Sequence, residues 1–214
     1  CMNQEECREA YAGFENLCFV ERHGAEQHPY FGFDYELAGK RIAEKVISED
    51  FHRIAVITDS MRFSNEHDFS RGLCSRFRGG KVKYTHITTD NRRVSHSMID
   101  LLMKEEDYDA VVTSNIRFAE KIRHVVENFS LEQPIPIFTL SSVTSLPEQD
   151  YRKYELNYGL LGRAVAETLI AESSEKQTQP EQLFENDGFR LWNQMECGSR
   201  PVKQLRILTI DSPE

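Results

Sequence analysis

Four short apolar runs rich in β-branched residues, Ile54–Thr58, Val82–Ile87, Ala110–Thr113 and Ile135–Thr139, begin at intervals of 28, 28 and 25 residues. Each interval holds a stretch of helical character. This is the repeat of a strand followed by a crossover helix. It constrains the chain to an α/β fold with a parallel sheet covered on both faces, because parallel neighbours cannot be joined by a tight turn. A related unit comes first: the runs Leu17–Val20 and Tyr30–Phe33, then a helix predicted over 35–48. There Ala38, Ile42 and Val46 form one apolar stripe, and Lys40, Glu44 and Lys45 fall away from it. A second helix is predicted over 157–172, with Leu161, Val165 and Leu169 on one face and Gly159 and Gly162 allowing close packing. Residues 172–181, polar and containing Pro180, read as an exposed connection. Beyond them Phe184, Phe189, Leu191 and Trp192, and the run Leu205–Ile210, are too apolar for a linker and predict further packed elements.

Charge and motif content narrow the function. Lys plus Arg number 26 against 35 Asp plus Glu, a net charge of −9 that disfavours wrapping nucleic acid by this segment itself. No apolar run approaches the ~20 residues of a membrane helix, and no membrane partner is expected. Five cysteines, Cys1, Cys7, Cys18, Cys74 and Cys197, form no C-x-x-C pair, so neither a disulfide framework nor a zinc site is implied and a reducing cytoplasm is the simplest compartment. Cys1 at the first position is expected for a fragment or a processed product, and a mature lipoprotein also starts with cysteine. No G-x-S-x-G, H-E-x-x-H, Walker or G-x-G-x-x-G motif occurs, and the seven histidines are scattered. No catalytic residue, metal ligand or cofactor is therefore assigned.

Polar residues instead recur at the carboxyl ends of the predicted strands, where open α/β sheets bind ligands. Asp34 follows Phe33; Asp59, Ser60 and Arg62 follow Thr58; Ser114 and Asn115 follow Thr113; Ser141 and Ser142 follow Leu140. Each position also suits a helix N-cap. Their repetition along one sheet edge favours a polar cleft for a polyhydroxylated ligand.

In order and spacing, Asp34–Gly39, His52–Ile57, Asp109–Val112, Thr113-Ser-Asn115 with Ala119, Ile135–Ile137 and Tyr158–Ala164 resemble the ligand-binding domain of LacI-type transcriptional regulators, over residues 15–172. The resemblance implies the type 1 periplasmic binding protein fold, two Rossmann-like lobes with a sugar-like effector between them, a homodimer, and operator DNA bound by a helix-turn-helix outside this chain. By motif position it places Asp34, Asn115 and Ser141 at the effector, and Ser60, Arg62 and Phe69 join them as candidates. Phe69 stands where the family commonly carries an arginine, Ser141 where it often has aspartate, and Ile116 where an acidic residue is frequent. Phe69 is accordingly expected to stack on a flat or apolar ligand face rather than to make a charged fork contact.

The expected division is 1–50 plus 155–180 for an incomplete first lobe and 51–154 plus about 195–214 for the second. Residues 184–192 match no motif of the family and are expected to form an added helix. The homodimer is expected to use the helix over 116–128 and the loop after Ser142. The function expected is a cytoplasmic effector-sensing and dimerisation domain. The alternatives are an extracytoplasmic solute-binding lipoprotein of the same fold and a small α/β enzyme.

Overall fold

The computed structural model describes residues 4–14, 17–21, 30–89, 108–128, 135–142, 151–173, 185–186 and 189–194. In chain order the elements are α1 Gln4–Tyr11, β1 Phe19–Val20, β2 Tyr30–Phe33, α2 Tyr35–Ser48, β3 Arg53–Thr58, α3 Ser64–Phe77, β4 Lys83–Thr88, β5 Ala110–Thr113, α4 Ile116–Asn128, β6 Ile137–Ser141, β7 Arg152–Glu155, α5 Tyr158–Ser173, β8 Glu185–Asn186 and β9 Phe189–Gln194. The chain divides into two units: one of 1–34, 62–65 and 157–214, the other of 35–61 and 66–156.

The second unit carries a five-stranded sheet in the order β4-β3-β5-β6-β7, parallel throughout. All four repeating runs are strands of it, as the spacing predicts. Residues Ile54–Thr58, Ala110–Thr113 and Ile137–Ser141 are buried along their whole length, which explains runs of continuous rather than alternating hydrophobicity. The order also fixes the helices. From β3 to β4 the chain moves one way across the sheet, and from β5 to β6 the other, so crossovers of a single right hand put α3 and α4 on opposite faces. On the α4 face, Ala55, Ile57, Val111, Phe118 and Ile122 join one core. A fifth strand, β7, was not expected from the sequence: its RKYE is half exposed and lies at the sheet's edge.

Helix α2 belongs to this second unit, so the boundary expected at residue 50 moves to 34/35. The reason is local. A Cβ on Gly39 would run into the Phe69 carbonyl and come within 2.9 Å of the Leu73 nitrogen, and a Cβ on Gly72 would run into the Glu36 carbonyl. Helices α2 and α3 thus meet backbone to backbone at two glycines. Glu36 adds ion pairs to Lys40 and Arg71, and these hold its carboxyl below the usual range, Lys40 first and Arg71 second.

In the first unit, β1 and β2 run parallel and β9 pairs antiparallel with β2, Tyr30 opposite Gln194. Helix α5 packs against β2, with Leu161, Ala164 and Leu169 buried. The helix expected over 184–192 is instead a β8–β9 hairpin. Alternation of Phe189 and Leu191 with Arg190 is a period of two, which a strand satisfies and a helix does not. Residues 205–210 lie outside the described residues. Among the described residues no helix is long and apolar enough to cross a membrane.

Candidate functional site

Strand order reverses between β3 and β5, and the residues following those two strands flank the reversal, which is where an open α/β sheet forms a ligand crevice. Register brings the carboxyl ends level: Ile57 opposite Thr113, Thr113 opposite Thr139, Thr58 opposite Thr88. The edge is built from hydroxyls. Thr113 donates to Thr139 Oγ1 at 2.9 Å and Thr139 donates to the Leu140 carbonyl at 3.1 Å, so two fully buried threonines are satisfied within the sheet. Just past β3 the Asp59 amide donates to Glu66 Oε2 at 3.1 Å and the Ser60 amide to Asp59 Oδ1 at 2.7 Å. Glu66, on α3, is buried. Past β5, Asn115 Oδ1 accepts the Phe118 amide at 3.2 Å and so caps α4, while the buried Ser114 Oγ has no partner among the described residues.

His86, opposite Val56 on β4, shares a 2.9 Å hydrogen bond with Thr58 Oγ1. Burial pushes its imidazole below the ordinary value, since a charge there would be poorly solvated. The unfolded chain takes up this proton at a higher pH than the folded chain, so stability is present above about pH 6.5 and declines as pH falls through that value. His86→Gln is expected to flatten the dependence of unfolding free energy on pH between about 7 and 5. An unchanged slope in urea titrations across that window would remove His86 as its source.

The six candidates separate. Ser60, Asn115 and Ser141 reach the carboxyl edge of the five-stranded sheet, although Asn115 is already a cap and Ser141 is buried as the last residue of β6, its carbonyl bonded to the Leu156 amide. Asp34 follows β2 in the first unit, and Arg62 is assigned to that unit too, its exposed guanidinium paired with Glu6 at 3.1 Å. Phe69 does not reach a ligand surface. Its side chain is fully buried on α3, and with Leu73 and Phe77 it continues a stripe at four-residue spacing, so the expected stacking role gives way to a core role.

The first unit has an edge of its own that the sequence did not disclose. Glu21, directly after β1, adopts φ 72°, a left-handed conformation costly for a residue with a side chain. Its amide donates to the Phe31 carbonyl at 2.8 Å, its carbonyl accepts the Tyr30 hydroxyl at 3.4 Å, and its Oε2 accepts the Tyr158 hydroxyl at 2.8 Å. Tyr158 opens α5, whose start is capped by Asn157 Oδ1 accepting the Leu160 amide at 3.0 Å. Its ring meets Phe33 edge to face at 5.1 Å and stays 40% exposed. Tyr158 continues the stripe of Leu161, Val165 and Leu169 at i−3, so in the sequence it reads as a packing residue and nothing sets it apart.

A cavity of about 520 Å³, lined by Arg53, Lys83, Tyr84, Thr85 and Tyr108, lies at the amino ends of β3 and β4. It is at the opposite end of the strands from the polar edge. Among the described residues no cluster of His, Cys, Asp and Glu could hold a metal ion.

No protein-family model and no curated protein matches the sequence. Solved structures do match. The chain is similar to the myo-inositol binding protein of Caulobacter, solved with myo-inositol, at 17% identity and a TM-score of 0.67 over 79% of this chain and 63% of that one. It is similar to the Cra transcriptional dual regulator of Pseudomonas putida, solved with fructose 1-phosphate, at 15% identity and 0.68 over 84% and 70%. It is similar to a LacI-type transcriptional regulator of Bacillus cereus subsp. cytotoxis at 12% identity and 0.69 over 92% and 74%. At these identities the likeness shows the fold: that of type 1 periplasmic binding proteins, common to LacI-type regulators and periplasmic sugar-binding proteins. The chain spans less than two thirds of the length of the myo-inositol binding protein.

Proposed function

We propose that the chain is the effector-sensing and dimerisation part of a cytoplasmic LacI-type transcriptional regulator, and that it binds a small hydroxylated, sugar-like molecule without catalysing a reaction. The observation that carries the ligand class is the hydroxyl-rich carboxyl edge at the reversal of strand order, with Ser60, Ser114, Asn115 and a carboxylate, Asp59, around it. Such a donor and acceptor set matches a polyol. The fold is shared with proteins solved with myo-inositol and with fructose 1-phosphate, which fits the same class. Asp34 supplies a second carboxylate, at the end of β2 in the first unit. Ligand binding would then bias the DNA affinity of a reading domain outside this chain, and by linkage DNA would bias ligand affinity equally. Homodimerisation through α4 and the segment after Ser142 is part of this reading; residues 143–150 of that segment lie outside the described residues.

The test is calorimetry on the full chain against a panel of neutral monosaccharides and cyclitols, including myo-inositol and D-fructose, with sedimentation of the same sample. At least one is expected to bind, a dimer is expected at micromolar concentration, and Asp34→Ala is expected to weaken binding at least about tenfold, or ~1.4 kcal/mol. A folded protein that binds none of the panel would overturn the ligand class. The second reading, an extracytoplasmic solute-binding protein, is favoured by the myo-inositol binding protein among the similar structures. The coding sequence ahead of Cys1 separates the two, since a helix-turn-helix and a lipobox are easily told apart.

A further inference from the structure

We propose that the cavity at the amino ends of β3 and β4 is a binding site for a small organic phosphate, held by Arg53 and Lys83. Its lining residues all belong to the second unit, at the far end of the strands from the polar edge, so it stands or falls independently of the sugar proposed there.

Register and alternation bring the site together. Arg53 pairs with Lys83, and Ala55 with Thr85, across two parallel strands. Alternate residues of a strand share a face, so Arg53, Lys83 and Thr85 stand on the same side of the sheet as Ala55 and Ile57. That is the α4 side, where Tyr108 joins the same core and is buried. Tyr84, between Lys83 and Thr85, turns its ring the other way, against Phe77 of α3 at 5.4 Å. A guanidinium, an ammonium, a hydroxyl and a phenol ring thus line the cavity from one face of the sheet.

The charges identify the ligand. Neighbouring strands stand about 5 Å apart, and two like charges in register at that spacing repel. An anion between them turns the repulsion into attraction. The carboxylate of Asp109, at the same end of the sheet, is engaged with the main chain: its Oδ2 accepts the His52 amide at 2.7 Å and its Oδ1 the Arg53 amide at 3.0 Å, which pins the start of β3. Arg53 and Lys83 together outweigh it, and Lys83 forms no ion pair among the described residues. A phosphate monoester presents several terminal oxygens, which suit the planar fork of an arginine beside the compact charge of a lysine. At about 520 Å³ the cavity is far larger than a phosphate group, leaving room for an organic portion beside Tyr108.

The test is calorimetry on the full 214-residue chain, in about 0.15 M salt, with glycerol 3-phosphate and phenyl phosphate, neither of them a sugar, and with glycerol as the neutral control. At least one of the two phosphates is expected to bind one to one with a Kd below about 1 mM, and glycerol is expected not to bind. Lys83→Met and Arg53→Met remove one charge each at exposed positions and keep an unbranched side chain; each is expected to weaken binding about tenfold or more. Arg41→Met deletes the same charge from the exposed side of α2 and is expected to change the affinity less than about twofold. An equal loss in Arg41→Met and Lys83→Met would mean attraction by net charge alone and would overturn the site, as would undiminished binding in Lys83→Met. If neither phosphate binds the folded wild type, the site is overturned while the sugar-binding reading is untouched.

Discussion

Phe69→Ala is expected to lower the unfolding free energy by about 4 kcal/mol, the cost of deleting a fully buried phenyl ring from a packed core. For a chain of this size the thermal midpoint should fall by roughly 10 °C. Phe69→Leu, which refills most of the volume, should cost only about 1 kcal/mol. Urea titrations of the three proteins give the comparison directly. If Phe69→Ala were as stable as the wild type and lost only ligand affinity, the core assignment would be wrong and the stacking role expected from its motif position would return.

The second large effect is at the glycine crossing of α2 and α3. Gly72→Ala would drive a methyl group into the Glu36 carbonyl and to within 3.0 Å of the Lys40 nitrogen, and Gly39→Ala would do the same to Phe69 and Leu73. Because the obstacles are backbone atoms, no side-chain rotation relieves them and the two helices must separate. Each substitution is expected to cost about 3 kcal/mol. Gly162→Ala is the control. Nothing lies within 4 Å of its would-be Cβ, so the better helix propensity of alanine should make that variant about 0.5–1 kcal/mol more stable. Equal stability of Gly72→Ala and wild type would mean that the helices do not cross as closely as described.

The contrast between these residues and the expectations from sequence shows what kind of information a chain displays. Strands β3, β5 and β6 were legible because burial on both faces leaves an unbroken apolar run, and their spacing betrays the crossover helices. Strand β7 was not, since an edge strand made of Arg152, Lys153, Tyr154 and Glu155 owes its conformation to pairing with β6 rather than to any pattern of its own. The places of Ser60, Asn115 and Ser141 at the carboxyl ends of strands were legible because a strand's end is a local property. Phe69 was misplaced because motif position was weighed above the stripe it forms with Leu73 and Phe77, the same physical signal that identified Ala38, Ile42 and Val46 in α2. Glu21 and Tyr158 stand 137 residues apart, and nothing local to either announces that their side chains meet.

The way the units are threaded along the chain has a consequence for synthesis. Apart from residues 62–65, the second unit is a single stretch from 35 to 156, and all five strands of its sheet lie within it. As the polypeptide leaves the ribosome, that unit has all its parts once Leu156 has emerged, and its sheet can close while α5 and β9 are still untranslated. The first unit has no such independence. Tyr30 must wait for Gln194 and Glu21 for Tyr158, so β1 and β2 have only each other as partners until β9 and α5 have been made.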